Sequence, residues 1–506
     1  MAADDACYPP HPFVCVPKVV FLIADGFASV DEIPVPDFPP LDRLTRLENF
    51  GHSFGSPAYV YRPTHAEQIA ELFTLAARHG FTIGQRGAGR SYGDAALNGG
   101  QIALDIRRMN RVLEWNPSTG LIKVEPGVTI QQLWQYTFED GWWPPVVPGT
   151  MFPTLGGALA MNIHGKNNYV AGTIGEHIRE FTALLPNGEQ VICTPESTPE
   201  LFYSLIGGIG VLGVFTSITL QLKRIYSGEL MVHAWASPNL RSMMADFESL
   251  KSDVDYLVGW VDGTVSGGGL GRGQIHAADY LHEGEEAAPS QTLRIDYQIL
   301  PDTFFGLVPK SILYQFMRPF MNNAGVPLVN LAKYVSSRFV GHHKHHLQSL
   351  VAFNFLLDYV PNWERSYGSG GLIQYQSFIP KETATDAFSE LIRLTLKRGL
   401  PNYLGVLKRH RSDRFLLSHA VDGYSLAMDF KVTGGNRARL QKMGDEMSEI
   451  VLQAGGRFYF AKDSMIRPEH ARRFLGEETL RRFCDLKARV DPHGILQTEL
   501  YRRLFA

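Results

Sequence analysis

The segment Arg86-Gly-Ala-Gly-Arg-Ser-Tyr-Gly-Asp94 places three glycines and two arginines directly behind a predicted strand. Glycine lets backbone N–H groups turn toward a phosphate with no Cβ in the way, and arginine adds charge. Two further stretches share this character. Pro148-Gly-Thr150, followed by Thr154-Leu-Gly-Gly-Ala-Leu-Ala160, puts Gly156 and Gly157 at a predicted helix start, where free amides could meet a pyrophosphate. Gly207-Gly-Ile-Gly-Val-Leu-Gly213 runs into a strand. The first of the three is not the G-x-G-x-x-G dinucleotide fingerprint, because no long crossover helix follows it. One such turn is weak evidence. Three on separate elements point to a large phosphate-bearing cofactor threaded between two subdomains.

The elements that must position these turns are short and alternate in type. Apolar residues Ile69, Leu72, Phe73 and Ala76 recur at helical spacing between Pro63-Thr64 and Gly80. Strands are predicted at Phe81–Gln85, Gln101–Ile106 and Leu121–Glu125, then at Ile178–Leu185, Glu189–Thr194 and Val214–Lys223. Residues 51–226 therefore read as one α+β domain, preceded by a proline-rich arm over 1–50 with one short strand at Val19–Ile23. Residues 227–480 read as a second domain. Its strands are predicted at Gly371–Phe378, Tyr403–Lys408 and Tyr424–Val432, with long helices at Thr383–Arg398 and Asn436–Ala454. That is a sheet with helices on one face. The segment 481–506 is expected to return to the first domain.

Composition narrows the partners. The 506 residues are 44% hydrophobic and 20% charged with a net charge of -3, as in a globular chain that offers no field for nucleic acid. The four cysteines (Cys7, Cys15, Cys193 and Cys484) have no metal-like spacing. The crowded run His342-His-Lys-His-His346 is likewise read as loop, and no metal is expected. The acidic start Met1-Ala-Ala-Asp-Asp5 does not resemble a secretory signal, so the chain is read as cytoplasmic. One segment stands out. Residues 303–357 carry no Asp or Glu but hold Lys310, Arg318, Lys333, Arg338 and Lys344 among apolar runs. Two readings remain open for it: peripheral contact with the inner membrane face, or an insertion capping the second domain.

The runs Gly87–Asn98, Pro148–Lys166 and Gly207–Gly213 resemble the FAD-binding (PCMH-type) domain of the vanillyl-alcohol oxidase/p-cresol methylhydroxylase superfamily. Within it the likeness is greatest to the decaprenylphosphoryl-β-D-ribose oxidase family. It continues through Gln374-Tyr-Gln376, Val406-Leu-Lys408, Met428-Asp-Phe430, Ala461-Lys-Asp-Ser464 and Asp491-Pro492. The resemblance implies a two-domain α+β flavoenzyme, with a split FAD-binding domain and an antiparallel-sheet substrate domain. It implies FAD as cofactor, held around Arg86, Gly87, Gly89, Arg90, Ser91, Tyr92 and Gly93. Gly149, Thr154, Gly156, Gly157, Asn162, His164, Phe215 and Tyr459 complete that set. Covalent members often carry a histidine in the first loop. Arg90-Ser-Tyr92 stands there, so non-covalent FAD is expected.

The implied activity is oxidation of a secondary hydroxyl of a sugar or lipid-linked sugar, a polyprenyl-phosphate-linked pentose. This would be half of an epimerisation serving cell-wall arabinan, completed by an NAD(P)H-dependent reductase partner. An alditol or aldono-1,4-lactone oxidase using oxygen is the alternative enzyme, and a flavoprotein-derived binding protein the alternative without turnover. Lys462 is the implied active-site lysine, with His164, Lys408, Gln374, Gln376 and Asp429 beside it. Period-two spacing sets both glutamines on one face of a strand, suited to sugar hydroxyls. The chain departs from the family at Ala427 (a cysteine there), Asn354 (a tyrosine) and Ser425 (an asparagine), departures expected to alter the pocket lining.

Overall fold

Three sheets carry the molecule, and each follows from how its strands are buried. The structure, a computed structural model, describes residues 38–304 and 308–506. Most of the expected arm, including Val19–Ile23, lies outside the described residues. Its last residues do not: Leu44–Glu48 is a strand paired antiparallel with Gly55–Tyr61. That strand is polar and largely exposed, so it lacks the alternation that would reveal it.

The first sheet runs Leu44–Glu48, Gly55–Tyr61, Ile102–Asp105, Ile83–Arg86, its last three strands parallel. Helix Ala66–His79 makes the crossover. It buries Ile69, Leu72, Phe73 and Ala76, and it ends at Gly80 with φ 70°, a left-handed turn that glycine adopts without strain. The second sheet is antiparallel, in the order Val112–Asn116, Leu121–Val124, Val214–Gln221, Ile178–Leu184, Gln190–Cys193.

The third sheet has eight antiparallel strands. Its order is Lys344–Ser349, Glu229–Ser237, Gly273–Tyr280, Tyr256–Val261, Gly405–His410, Gly423–Lys431, Leu372–Pro380, Arg457–Phe458. Helices Leu240–Leu250, Lys381–Lys397 and Arg437–Gln453 pack against it. Phe388, Leu391 and Ile392 are fully buried there, each stabilising the layer by about 1.5–3 kcal/mol. Tyr375 reaches back to Ser448 (Oη–Oγ 3.3 Å), while its strand neighbours Gln374 and Gln376 face the opposite side, into a cleft. One face is thus a helix-covered core and the other a functional wall.

The C-terminal segment returns to the first sheet. Leu496 bridges Ile83 in parallel, and Glu499 Oε1 accepts from Gly99 N–H (3.0 Å) and Ser56 Oγ (2.8 Å). Among the described residues no helix is long and apolar enough to cross a membrane.

Candidate active site

A cavity of about 670 Å³ lies between the glycine-rich turns and the open face of the eight-stranded sheet. Its first wall is largely backbone. Gly87, Gly89, Arg90, Ser91 and Tyr92 line it, and the amide N–H groups of residues 87–91 make no hydrogen bond among the described residues. The Arg90 guanidinium lies between the rings of Phe50 (5.2 Å) and Phe152 (4.9 Å), and its buried Nε has no partner. Arg86 instead turns back to the carbonyls of Ala96 (3.0 Å) and Glu48 (2.9 Å), fixing the base of the loop.

Gly149, Thr154, Gly156, Gly157 and Tyr459 also line the cavity, as do Ile209 and Gly210 of the third glycine-rich turn. The expectation of free amides at Gly156-Gly157 does not hold. Gly156 N–H is bonded to Pro126 O (2.8 Å) and Gly157 N–H to Thr154 Oγ1 (3.3 Å). These glycines contribute the absence of a side chain, and a Cβ on Gly156 would strike Ile106 and Pro126 at 2.8 Å. Asn162 and Phe215 sit behind the lining. Asn162 accepts from Gly175 N–H (3.0 Å), and Phe215 packs edge-on against Phe181 at 5.0 Å.

The loop is stitched to the far end of the chain. Tyr92 N–H bonds Ala461 O (3.0 Å), and Gly93 passes so close to Asp463 that a Cβ there would lie 1.7 Å from its carbonyl oxygen. Arg503 then grips Asp94 (2.7 and 2.9 Å) and Asp463 (2.9 Å) together. This clamp brings Lys462 to the loop, its Nζ 3.6 Å from the centre of the Tyr92 ring.

Side chains of the sheet form the second wall. Gln374 donates to Asp429 Oδ1 (2.5 Å), and the two are register partners on adjacent strands. Burial pushes the Asp429 carboxyl well above the carboxylate range and the Lys462 amine well below the lysine range, and their mutual attraction opposes both shifts. Gln376 donates to Ser425 Oγ (3.1 Å) and to His164 Nε2 (3.2 Å). His164 Nε2 therefore accepts, leaving the hydrogen on Nδ1, which is buried without a partner. Burial, then the charge of Lys408, holds the His164 pKa well below its ordinary value, so the ring is neutral.

Of the three departures from the family pattern, Ala427 lines the cavity. Ser425 lies behind Gln376, bonded to His410 (2.7 Å), and Asn354 is buried in its own helix, bonded to Leu350 O (3.1 Å). The expectation that all three line the pocket is thus corrected for these two. Sequence reasoning missed Lys166, Trp260, Gln274, His276, Lys333 and Gln348, all cavity-lining. Lys166 closes the Pro148–Lys166 run. The others lie on strands or a helix with no local signature. Helix Gly325–Phe339, within the basic segment, is tied over the sheet by Asn330 to Asp262 (3.0 Å) and by Lys333 over Trp260 (4.2 Å). Among the described residues no group of three or more His, Cys, Asp or Glu is placed to hold a metal ion.

Comparison with known proteins agrees with this geometry. Residues 57–194 match the family described as FAD binding domain. The chain is 31% identical over 480 residues to decaprenylphosphoryl-beta-D-ribose oxidase of Mycolicibacterium smegmatis, covering 92% of this chain and 98% of that protein. An uncharacterised protein of Streptomyces coelicolor is 29% identical over 74% of this chain and its own full length. D-arabinono-1,4-lactone oxidase of Yarrowia lipolytica is 22% identical over 42% of this chain and 40% of its own. The first wall suits such a cofactor, since its free amides and the orphaned Arg90 Nε are donors awaiting acceptors. The chain is an FAD-dependent oxidoreductase and belongs to the family that includes decaprenylphosphoryl-beta-D-ribose oxidase.

Proposed function

We propose that this chain oxidises a secondary hydroxyl of a sugar, a pentose joined through phosphate to a polyprenyl chain, and that a separate NAD(P)H-dependent reductase completes an epimerisation. The observation that carries this reading is Lys462, a buried amine set on the Tyr92 face with Asp429 and Gln374 nearby. The bound flavin supplies the hydride acceptor. Lys462 Nζ takes the hydroxyl proton, because burial favours its neutral form and leaves the lone pair available. Asp429 draws that basicity back upward. Gln374 and Gln376 orient hydroxyls along one face of their strand, and His164 offers a neutral Nδ1–H donor. Arg90 and the amides of the first loop hold the cofactor without a covalent bond, since residues 86–94 contain neither His nor Cys. Arg86, Gly93, Asn162 and Phe215 support that wall from behind.

The test is anaerobic mixing of holoenzyme with a polyprenyl-phospho-pentose, with free alditols and with aldonolactones. Rapid loss of the oxidised flavin's visible absorbance with the lipid-linked pentose alone is expected. Bleaching by the free alditol or lactone, with peroxide formed in air, would replace this reading with that of a free-sugar oxidase.

The lipid-linked substrate accords with a peripheral membrane site on the basic segment. Phe316, Phe320, Leu328, Val335, Phe339 and Val340 are exposed there. Lys333 is drawn into the cleft and Lys310 lies over Tyr359 (4.4 Å), so Arg318, Arg338 and Lys344 are the charges left outward. An apolar surface fringed by cations suits an anionic bilayer. Sedimentation with anionic vesicles, weakened by salt and absent with neutral ones, is the expected result. Equal recovery in the supernatant with both would remove the site.

A further inference from the structure

The sheet wall holds three further amines that burial draws toward the neutral form and that no acid balances. Lys166, Lys333 and Lys408 all line the cavity, and no carboxylate acts appreciably on any of them. Their placement is built from three elements. The carbonyl of Lys166 accepts from Leu257 N–H (3.1 Å), hanging its loop on the strand Tyr256–Val261, and its ammonium is bonded to the Phe353 carbonyl. Lys408 lies on the neighbouring strand, as register partner of Ser425. Lys333 reaches down from helix Gly325–Phe339 to the ring of Trp260. Its stem is open to solvent but its head is sheltered there, and burial of the head lowers its pKa to about 8.

The three are close enough to act on shared neighbours. Lys408 bears on both Lys166 and Lys462, while Lys333 and Lys166 both bear on His276, whose pKa burial and these charges hold down to about 3. His276 is the register partner of Val258, and Gln274 of Trp260. Elsewhere the chain neutralises a buried lysine. Lys487 has Asp491 and the carbonyls of Val211 and Leu496 (both 2.7 Å). Sheltered like charges without a counterion are unfavourable, and a cavity keeps them where an anion completes the set.

We propose that Lys166, Lys333 and Lys408, with His276, form an anion subsite that takes the phosphate linking the substrate's sugar to its lipid. This rests on the substrate class proposed above. It places the phosphate against the Trp260 end of the cleft and the sugar toward Lys462. The lipid chain leaves along helix Gly325–Phe339, whose Leu328 and Val335 are exposed.

Holoenzyme titrated calorimetrically with octyl phosphate, and with octyl glucoside as the uncharged control, tests it. Octyl phosphate should bind, and Lys333→Met and Lys408→Met should each weaken it at least about tenfold, the scale of a lost charge-assisted contact, with flavin content and octyl glucoside binding unchanged. Lys333, with its exposed stem, is the variant that leaves folding intact. Absence of octyl phosphate binding, or equal binding in the variants, overturns the subsite. Loss of flavin from folded variants also overturns it and assigns the cations to the cofactor's own phosphates. Should octyl phosphate binding depend on Lys333 while no phospho-pentose bleaches the flavin, the subsite stands and the oxidation reading falls. Bleaching that is indifferent to the lysines means the reverse.

Discussion

The two walls of the cleft are made of different material. The glycine-loop wall is backbone, with unbonded amides at residues 87–91 and one arginine pinned between two rings. The sheet wall is side chains, with Gln374, Gln376, Lys408, Trp260, Gln274 and His276 projecting from the front of four strands. A backbone wall is set by where glycine permits the chain to go, and few side-chain substitutions alter it. A side-chain wall is set position by position. The first suits a group that stays the same in every turnover, and the second suits recognition of a particular substrate.

Substitutions in the two walls should therefore fail differently. The largest effect is expected from Gly93→Ala. The new Cβ would fall 1.7 Å from Asp463 O, forcing the loop off the Ala461–Ser464 segment, so the purified protein should carry little or no flavin by absorbance. Next is Arg503→Met, which leaves Asp94 and Asp463 without their shared cation. Denaturant unfolding should show a loss of about 3 kcal/mol, blurring the two walls together. Asp429→Asn should be mildest and confined to the sheet wall. Removing the carboxylate lowers the Lys462 pKa further, so the acid limb of the bleaching rate should move to lower pH while flavin content is unchanged. A limb that stays in place would separate Asp429 from Lys462.

The same contrast governs what could be read from the sequence. The glycine loops were legible because each is local and backbone-driven, and the helix Ala66–His79 because its apolar face recurs at helical spacing. Four adjacent strands of the large sheet, Lys344–Ser349 to Tyr256–Val261, were not. Tyr256–Val261 is buried along its whole length and shows no apolar–polar alternation, while Gly273–Tyr280 alternates only over Gly273–Ala277 before Ala277-Ala278 breaks the period. Lys333 reads in sequence like the other four cations of its segment, because nothing local tells a helix which side will cover a cavity. The pairing of Gln374 with Asp429 depends on strand register, which a sequence of isolated segments does not carry.

Lys462→Ala, followed by anaerobic bleaching with a polyprenyl-phospho-pentose across pH, tests the central claim most directly. With Lys462 present, the bleaching rate should rise as pH increases out of the acid range, because the amine must be neutral to accept the proton and burial sets its pKa below that of an ordinary lysine. The alanine variant should keep its flavin and lose about 10²–10⁴-fold in rate along with that pH limb. Bleaching at the original rate, with the same pH dependence and full flavin, would contradict the account and leave the proton to another group.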